Sequence, residues 1–212
     1  MEQSQVEKII RCITPLFNGD KTGHDIFHTL RVYHLALKIA REEKANEKLV
    51  TLASLLHDVD DPKLFQTLDF ANARAIMKAC NIEKEIVTIV IGIIKEVSFK
   101  GKDSVIPTTL EGKIVQDADR LDAIGAIGIA RAFAYGGAKN RVMYDPNEKP
   151  LSEMDENVYR NHKGTTINHF YEKLLLLKDM LNTVEARKIA QNRHEFMKRF
   201  LDEFFLEWEE KD

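Results

Sequence analysis

Seven histidines stand in the chain, His24, His28, His34, His57, His162, His169 and His194, and two of them precede an aspartate. His57-Asp58 closes the apolar run LVTLASLL, so a helix buried on most faces would carry an imidazole and a carboxylate into the interior. Buried ionisable groups are costly unless paired or bound to a metal. Taken alone, the pair is better explained by a core histidine bonded to a backbone carbonyl and an aspartate acting as a local cap. Asp119 lies in KIVQDADRLDAIGAIG, where Ile114, Val115, Ala118, Leu121 and Ile124 supply the buried stripe. Asp119 shares a helical face with Asp122, and Asp117 is rotated away. A metal or acid–base site fits that pair as well as an exposed acidic edge pairing with Arg120.

His28 sits beside the inward seam Val32, Leu35 and Ile39 of HDIFHTLRVYHLALKIA, with His24 and Arg31 on the same flank. His34 points elsewhere and reads as a surface residue. The inward set is then His28, His57, Asp58 and Asp119. Two neutral imidazoles and two carboxylates suit Mn²⁺, Fe²⁺, Co²⁺, Zn²⁺ or Mg²⁺ in mixed geometry. Each member has an ordinary explanation; the joint pattern H…HD…D at buried helical positions is much harder to dismiss.

Helices must position these groups, and the apolar spacing is helical almost throughout. Helices are expected from Val6 to Phe17, Ile26 to Ala40, Leu49 to His57, after Asp69 through Cys80, Glu83 to Val97, Leu110 to about Ile124, and along GAIGIARAFAY. Asp69 is the expected cap of the fourth, and Gly136-Gly137 the expected end of the seventh. Residues 136–164 read as a loop or lid, and residues 165–210 as C-terminal helices. Ser152 and Asn182 are the expected N-caps there. Tyr135, Tyr144 and Tyr159 carry little weight as base-stacking residues. The terminal seam Met197, Phe200, Leu201, Phe204, Phe205 and Trp208 reads as core packing.

The 212 residues hold 31 Lys+Arg against 34 Asp+Glu, and that balance argues against a general nucleic-acid binder. A hydrophobic fraction of 44% argues against disorder, and only 10 Gly and 5 Pro leave few turns for a many-stranded sandwich. The expectation is one all-α domain over residues 1–212, its core at about 20–135. Cys12 and Cys80 are too few and too far apart for a disulfide framework. With no signal peptide and no uncharged membrane-length run, a soluble cytoplasmic protein is expected, a monomer or a homodimer.

At GHDIFHTLRVYHLA, ASLLHDVDD, QDADRLDAIGAIGIARAF and LLLLKDMLNT…ARKIAQNRHEFMKRFLDEF, the chain resembles the HD-domain metal-dependent phosphohydrolases, in their small bacterial nucleotide-hydrolase-like branch. The resemblance implies a single HD-type helical bundle with a C-terminal helical elaboration. It makes His28, His57, Asp58 and Asp119 the ligands of one divalent metal, Mn²⁺ first, with Co²⁺, Fe²⁺, Ni²⁺, Zn²⁺ or Mg²⁺ as alternatives. Related nucleotidases use an acidic residue four positions after the HD histidine, here Asp61. Alarmone hydrolases carry Glu-Asp there, and Asp61-Pro62 departs from that pattern. Two-metal members add histidines beside the HD pair, where this chain has valine and aspartates.

Asp61 or Asp122 would orient water or handle a proton, and His24, Arg31 and Lys63 would contact phosphate, with Arg31 alternatively a partner of Asp58 or Asp119. The implied substrate is a small phosphate ester or anhydride, first a (deoxy)nucleoside triphosphate losing pyrophosphate, then a nucleoside 5′-monophosphate. A non-catalytic metal or nucleotide sensor and a structural helical module are the alternatives from other classes.

Overall fold

The computed structural model describes residues 1–18, 25–62, 64–97, 104–151, 162 and 164–211, and every regular element among them is helical. An all-α protein is what the apolar periodicity predicted. The described residues fall into two compact units, one made of those up to Asp119 and one of those from Arg120 on.

The first unit contains α1 (Gln3–Ile13), a 3₁₀ turn (Thr14–Phe17), α2 (Ile26–Glu42), α3 (Glu47–Leu56), α4 (Ala71–Ala79), α5 (Lys84–Val97) and, as far as Asp119, α6 (Leu110–Asp122). The centre of this unit is α3, in which Val50 through Leu56 are all buried. A helix that is apolar nearly all round has to be enclosed, and α1, α2 and α5 pack against it. Its N-terminus is fixed by Asn46, whose side chain accepts the main-chain N–H of Lys48 and Leu49 at 3.0 and 3.3 Å. Its last residue is Leu56, with His57 as C-cap, so the helix stops ahead of the Asp61-Pro62 break.

The two HD dipeptides have different fates. Asp25 of the first is a helix N-cap, its Oδ1 accepting the His28 main-chain N–H at 2.8 Å. The second is part of the polar interior.

Helix α4 corrects an expectation. Its N-cap is Phe70, in the left-handed region at φ 56°, and Asp69 before it is also left-handed. Asp69 therefore does not cap the helix; its carboxylate pairs with Arg74 at 3.2 Å. The capping oxygens come from Asp60, which accepts the N–H of Asn72 at 3.0 Å and of Ala73 at 2.8 Å.

The second unit contains α7 (Gly125–Ala138), α8 (Thr166–His169), a π turn (Phe170–Leu174), a 3₁₀ turn (Leu176–Met180) and the long α9 (Val184–Trp208). Helix α7 packs on α8 and α9. Gly128 permits the tight entry to α7, since a Cβ there would lie 2.2 Å from the Ala123 carbonyl oxygen. Gly136 does not end the helix as expected. It is buried, and a Cβ there would meet Thr166 Oγ1 at 2.3 Å, so its smallness serves packing and α7 runs on to Ala138. The N-cap of α9 is Thr183, one residue after the expected Asn182. The expected cap at Ser152 lies outside the described residues.

Phe200 stacks on Phe170 with ring centroids 5.8 Å apart, and Tyr144 packs edge-on against Phe204, Phe205 and Trp208. The terminal aromatic seam is thus largely internal packing of this unit, with the Trp208 edge exposed.

Candidate metal centre

Three helical segments of the first unit bring their polar groups to one place. His28 comes from the first turn of α2, His57 and Asp58 from the end of α3 and the turn after it, and Asp119 from α6. His28 Nε2 lies 3.3 Å from Asp58 Oδ2 and 3.5 Å from Asp119 Oδ1. His57 Nε2 lies 3.4 Å from Asp58 Oδ2 and 4.0 Å from Asp119 Oδ1. One ligand atom each of His28, His57 and Asp119 lies within 4.8 Å of the other two. Among the described residues this is the one group of three or more His, Cys, Asp or Glu side chains with that spacing.

The His57 ring is held in one chemical state. Its Nδ1 is 2.8 Å from the Ser54 carbonyl oxygen, which can only accept, so Nδ1 carries the proton. The Nε2 lone pair then points at the carboxylates from a buried position and makes no hydrogen bond. A histidine whose far nitrogen is tied to a backbone carbonyl is oriented as a metal ligand is. The His28 and His57 rings meet edge to face at 5.4 Å between centroids, which directs both Nε2 atoms to the same polar spot. Three of the four side chains are nearly enclosed, whereas Asp119 is 29% exposed and gives the cluster its open side. Imidazole nitrogens and carboxylate oxygens are both ligands of divalent cations. The donor set fits such an ion.

The remaining candidates are placed differently. Arg31 is half-buried on α2, one turn after His28, and Asp61 is half-buried in the turn after Asp58. The Asp61 carbonyl accepts the N–H of Leu64 and of Phe65, both at 2.9 Å, closing that turn. Asp122, in the second unit, is buried and its Oδ2 accepts from Arg131 Nη1 at 2.7 Å. His24 and Lys63 lie outside the described residues, as does much of the 136–164 segment. His34 is exposed, as expected. Asp117, turned away from the Asp119 face in the sequence reading, is fully buried.

Two features escaped the sequence reading. Asp60 lies between the two aspartates that drew attention, and its capping role depends on a helix that starts eleven residues later. His169 is the second: burial, together with the nearby charges of Lys173 and Arg141, pushes its imidazole down to about 3. A histidine in a short polar stretch gives no local sign of that burial.

A family model described as HD domain matches residues 26–124, the stretch that carries all four clustered side chains. Bacillus subtilis YpgQ is 39% identical over 204 residues, covering 94% of this chain and 92% of YpgQ. The crystal structure of YpgQ in complex with ADP superposes with a TM-score of 0.76 over 94% of this chain and 95% of that one, at 36% identity. A Lactobacillus plantarum protein of known structure reaches a TM-score of 0.87 at 38% identity over 98% of both chains. A Bacillus thuringiensis HD-superfamily hydrolase gives 0.77 at 39% identity over 99% of both.

Proposed function

The chain belongs to the HD domain family, and from that premise we propose that it is a metal-dependent phosphohydrolase acting on a nucleotide. The first substrate class is a (deoxy)nucleoside triphosphate, cleaved to release pyrophosphate. One observation carries the reading: two imidazole nitrogens and two carboxylates converge with N–O distances of 3.3–4.0 Å. The ADP complex of YpgQ supports a nucleotide as the ligand class.

In this proposal His28, His57, Asp58 and Asp119 hold one divalent ion, Mn²⁺ first among the candidates. When bound, such an ion polarises phosphoryl oxygens and lowers the pKa of water. Ser54 fixes the His57 tautomer so that Nε2 is free to donate its lone pair. Asp61 is the group assigned to orient water and take its proton, because it follows directly on the ligand turn. Asp122, already engaged by Arg131, is assigned to holding that buried pair. Arg31 is the phosphate contact assigned on α2, and His24 and Lys63 belong to the same proposed role. Cytosolic nucleotides are the pool on which such an enzyme would act.

The test is a screen of ribo- and deoxyribonucleoside mono-, di- and triphosphates with Mn²⁺, Co²⁺, Ni²⁺ or Mg²⁺, run on wild type and Asp58→Ala. Hydrolysis by wild type that the substitution abolishes supports the proposal. Turnover unchanged by Asp58→Ala would sink it. Stoichiometric metal with no turnover of any phosphate ester or anhydride would replace it with a sensor.

A further inference from the structure

The turn that carries Asp58 is fastened to α4 by three hydrogen bonds. Asp60 Oδ1 accepts the Asn72 N–H at 3.0 Å, and Oδ2 accepts the Ala73 N–H at 2.8 Å. In return, Asn72 Nδ2 donates to the Val59 carbonyl at 2.7 Å. Asn72 and Ala73 are the second and third residues of α4, the N–H groups that an N-cap side chain ordinarily satisfies. The actual N-cap, Phe70, has no side-chain acceptor and no capping bond. A carboxylate at that position is also favoured by the positive end of the helix dipole.

This is more than a cap. The three bonds engage both residues that follow Asp58, one through its carbonyl and the other through both carboxylate oxygens. Val59 itself is fully buried, which holds the same segment from its side-chain end. With Val59 and Asp60 held, the backbone has little freedom to rotate the Asp58 side chain away from the imidazoles, 3.3 and 3.4 Å distant. Ligand sites depend on such supporting contacts, and losing one commonly costs ten- to a hundred-fold in metal affinity.

We infer that Asp60, with Asn72, is a positioning residue: it clamps the metal-ligand turn to the N-terminus of α4 and so sets the geometry of Asp58. The inference rests on the proposed metal site. It separates the two consecutive aspartates after Val59 into a proton-handling group, Asp61, and a clamp, Asp60.

The experiment compares Mn²⁺ binding by titration calorimetry, and steady-state hydrolysis where it is found, in wild type, Asp60→Ala, Asp60→Asn, Asn72→Ala and Asn46→Ala. Asn46 is an ordinary N-cap at the far end of α3, so Asn46→Ala reports what the loss of a cap does by itself. Asp60→Ala is expected to weaken Mn²⁺ about ten-fold or more and to lower kcat with KM within about two-fold. Asp60→Asn, which keeps one acceptor oxygen, should recover part of the loss. Asn46→Ala should bind Mn²⁺ as wild type does, at a lowered melting temperature.

Equal Mn²⁺ affinity in Asp60→Ala and wild type would overturn the inference and leave the metal site standing. An equal loss in Asn46→Ala and Asp60→Ala would overturn it too, by reducing the effect to general destabilisation. Wild type that binds no Mn²⁺ or other divalent ion would overturn the metal site and this inference with it. If Asp60→Ala fails to fold, Asn72→Ala removes only the bond to Val59 and its Mn²⁺ affinity decides.

Discussion

Two sets of carboxylates, one in each unit of the molecule, have different surroundings. In the second unit each described buried carboxylate has a donor beside it. Asp122 meets the Arg131 guanidinium at 2.7 Å, while Glu172 meets His162 Nε2 at 3.0 Å and accepts the Leu151 N–H. In the first unit Asp58 and Asp119 converge on two imidazoles, and His57 Nδ1 is bonded to a backbone carbonyl. Pairing a buried charge satisfies the protein by itself. Gathering two of them beside two imidazoles offers a cation four ligand groups, and the contrast separates a structural ion pair from a site suited to a ligand.

Substitutions test that contrast at both ends. The largest effect is expected for Asp58→Ala, which should lower kcat/KM about a thousand-fold, on the order of 4 kcal/mol in the barrier, and abolish stoichiometric metal. Metal analysis and initial rates check both. Asp122→Ala strands the half-buried Arg131 guanidinium and should cost about 3 kcal/mol of stability by denaturant unfolding. Its Mn²⁺ affinity should stay near that of wild type; a large loss would move Asp122 into the catalytic site. Mn²⁺ at about a hundred times its Kd should stabilise wild type by about 2.7 kcal/mol, and EDTA should reverse the gain. In Asp119→Asn that stabilisation should shrink.

A pH dependence is expected from His169. Its imidazole sits at about 3 when folded, against an ordinary 6.5. Between those values only the unfolded chain takes up the proton. Stability from this group is therefore complete above about pH 6.5 and is lost as pH falls towards 3, by about 1.4 kcal/mol per pH unit at most. A His169→Gln variant should show a flatter pH–stability profile across that window.

Much of the candidate site was legible because helical spacing is a local property. His28, His57, Asp58 and Asp119 could be collected from three stretches once each apolar seam showed which face turned inward, and the structure brings those four together. The glycines of GAIGIARAFAY misled because glycine has two uses. Gly136 could end a helix or let a neighbour approach, and Thr166, thirty residues away, makes it the second. Asp69 misled for a related reason. The residue just before the helix is Phe70, and Asp69 ahead of it is left-handed with its carboxylate turned to Arg74.

The sequence by itself determined the all-helical architecture, since period, length and the scarcity of breakers are summed along the chain and need no partner. It also placed His28, His57, Asp58 and Asp119 on inward faces, because a residue's place on a helix follows from its neighbours, although Asp117, which it turned away, is buried too. Tertiary structure alone decided which acids receive a donor. Arg131 for Asp122 and the α4 N–H groups for Asp60 are both set by how the chain folds back. A hydrogen bond acts over about 3 Å of space whatever the separation in sequence, and the identity of a charge's neighbour is what separates a clamp, an ion pair and a ligand.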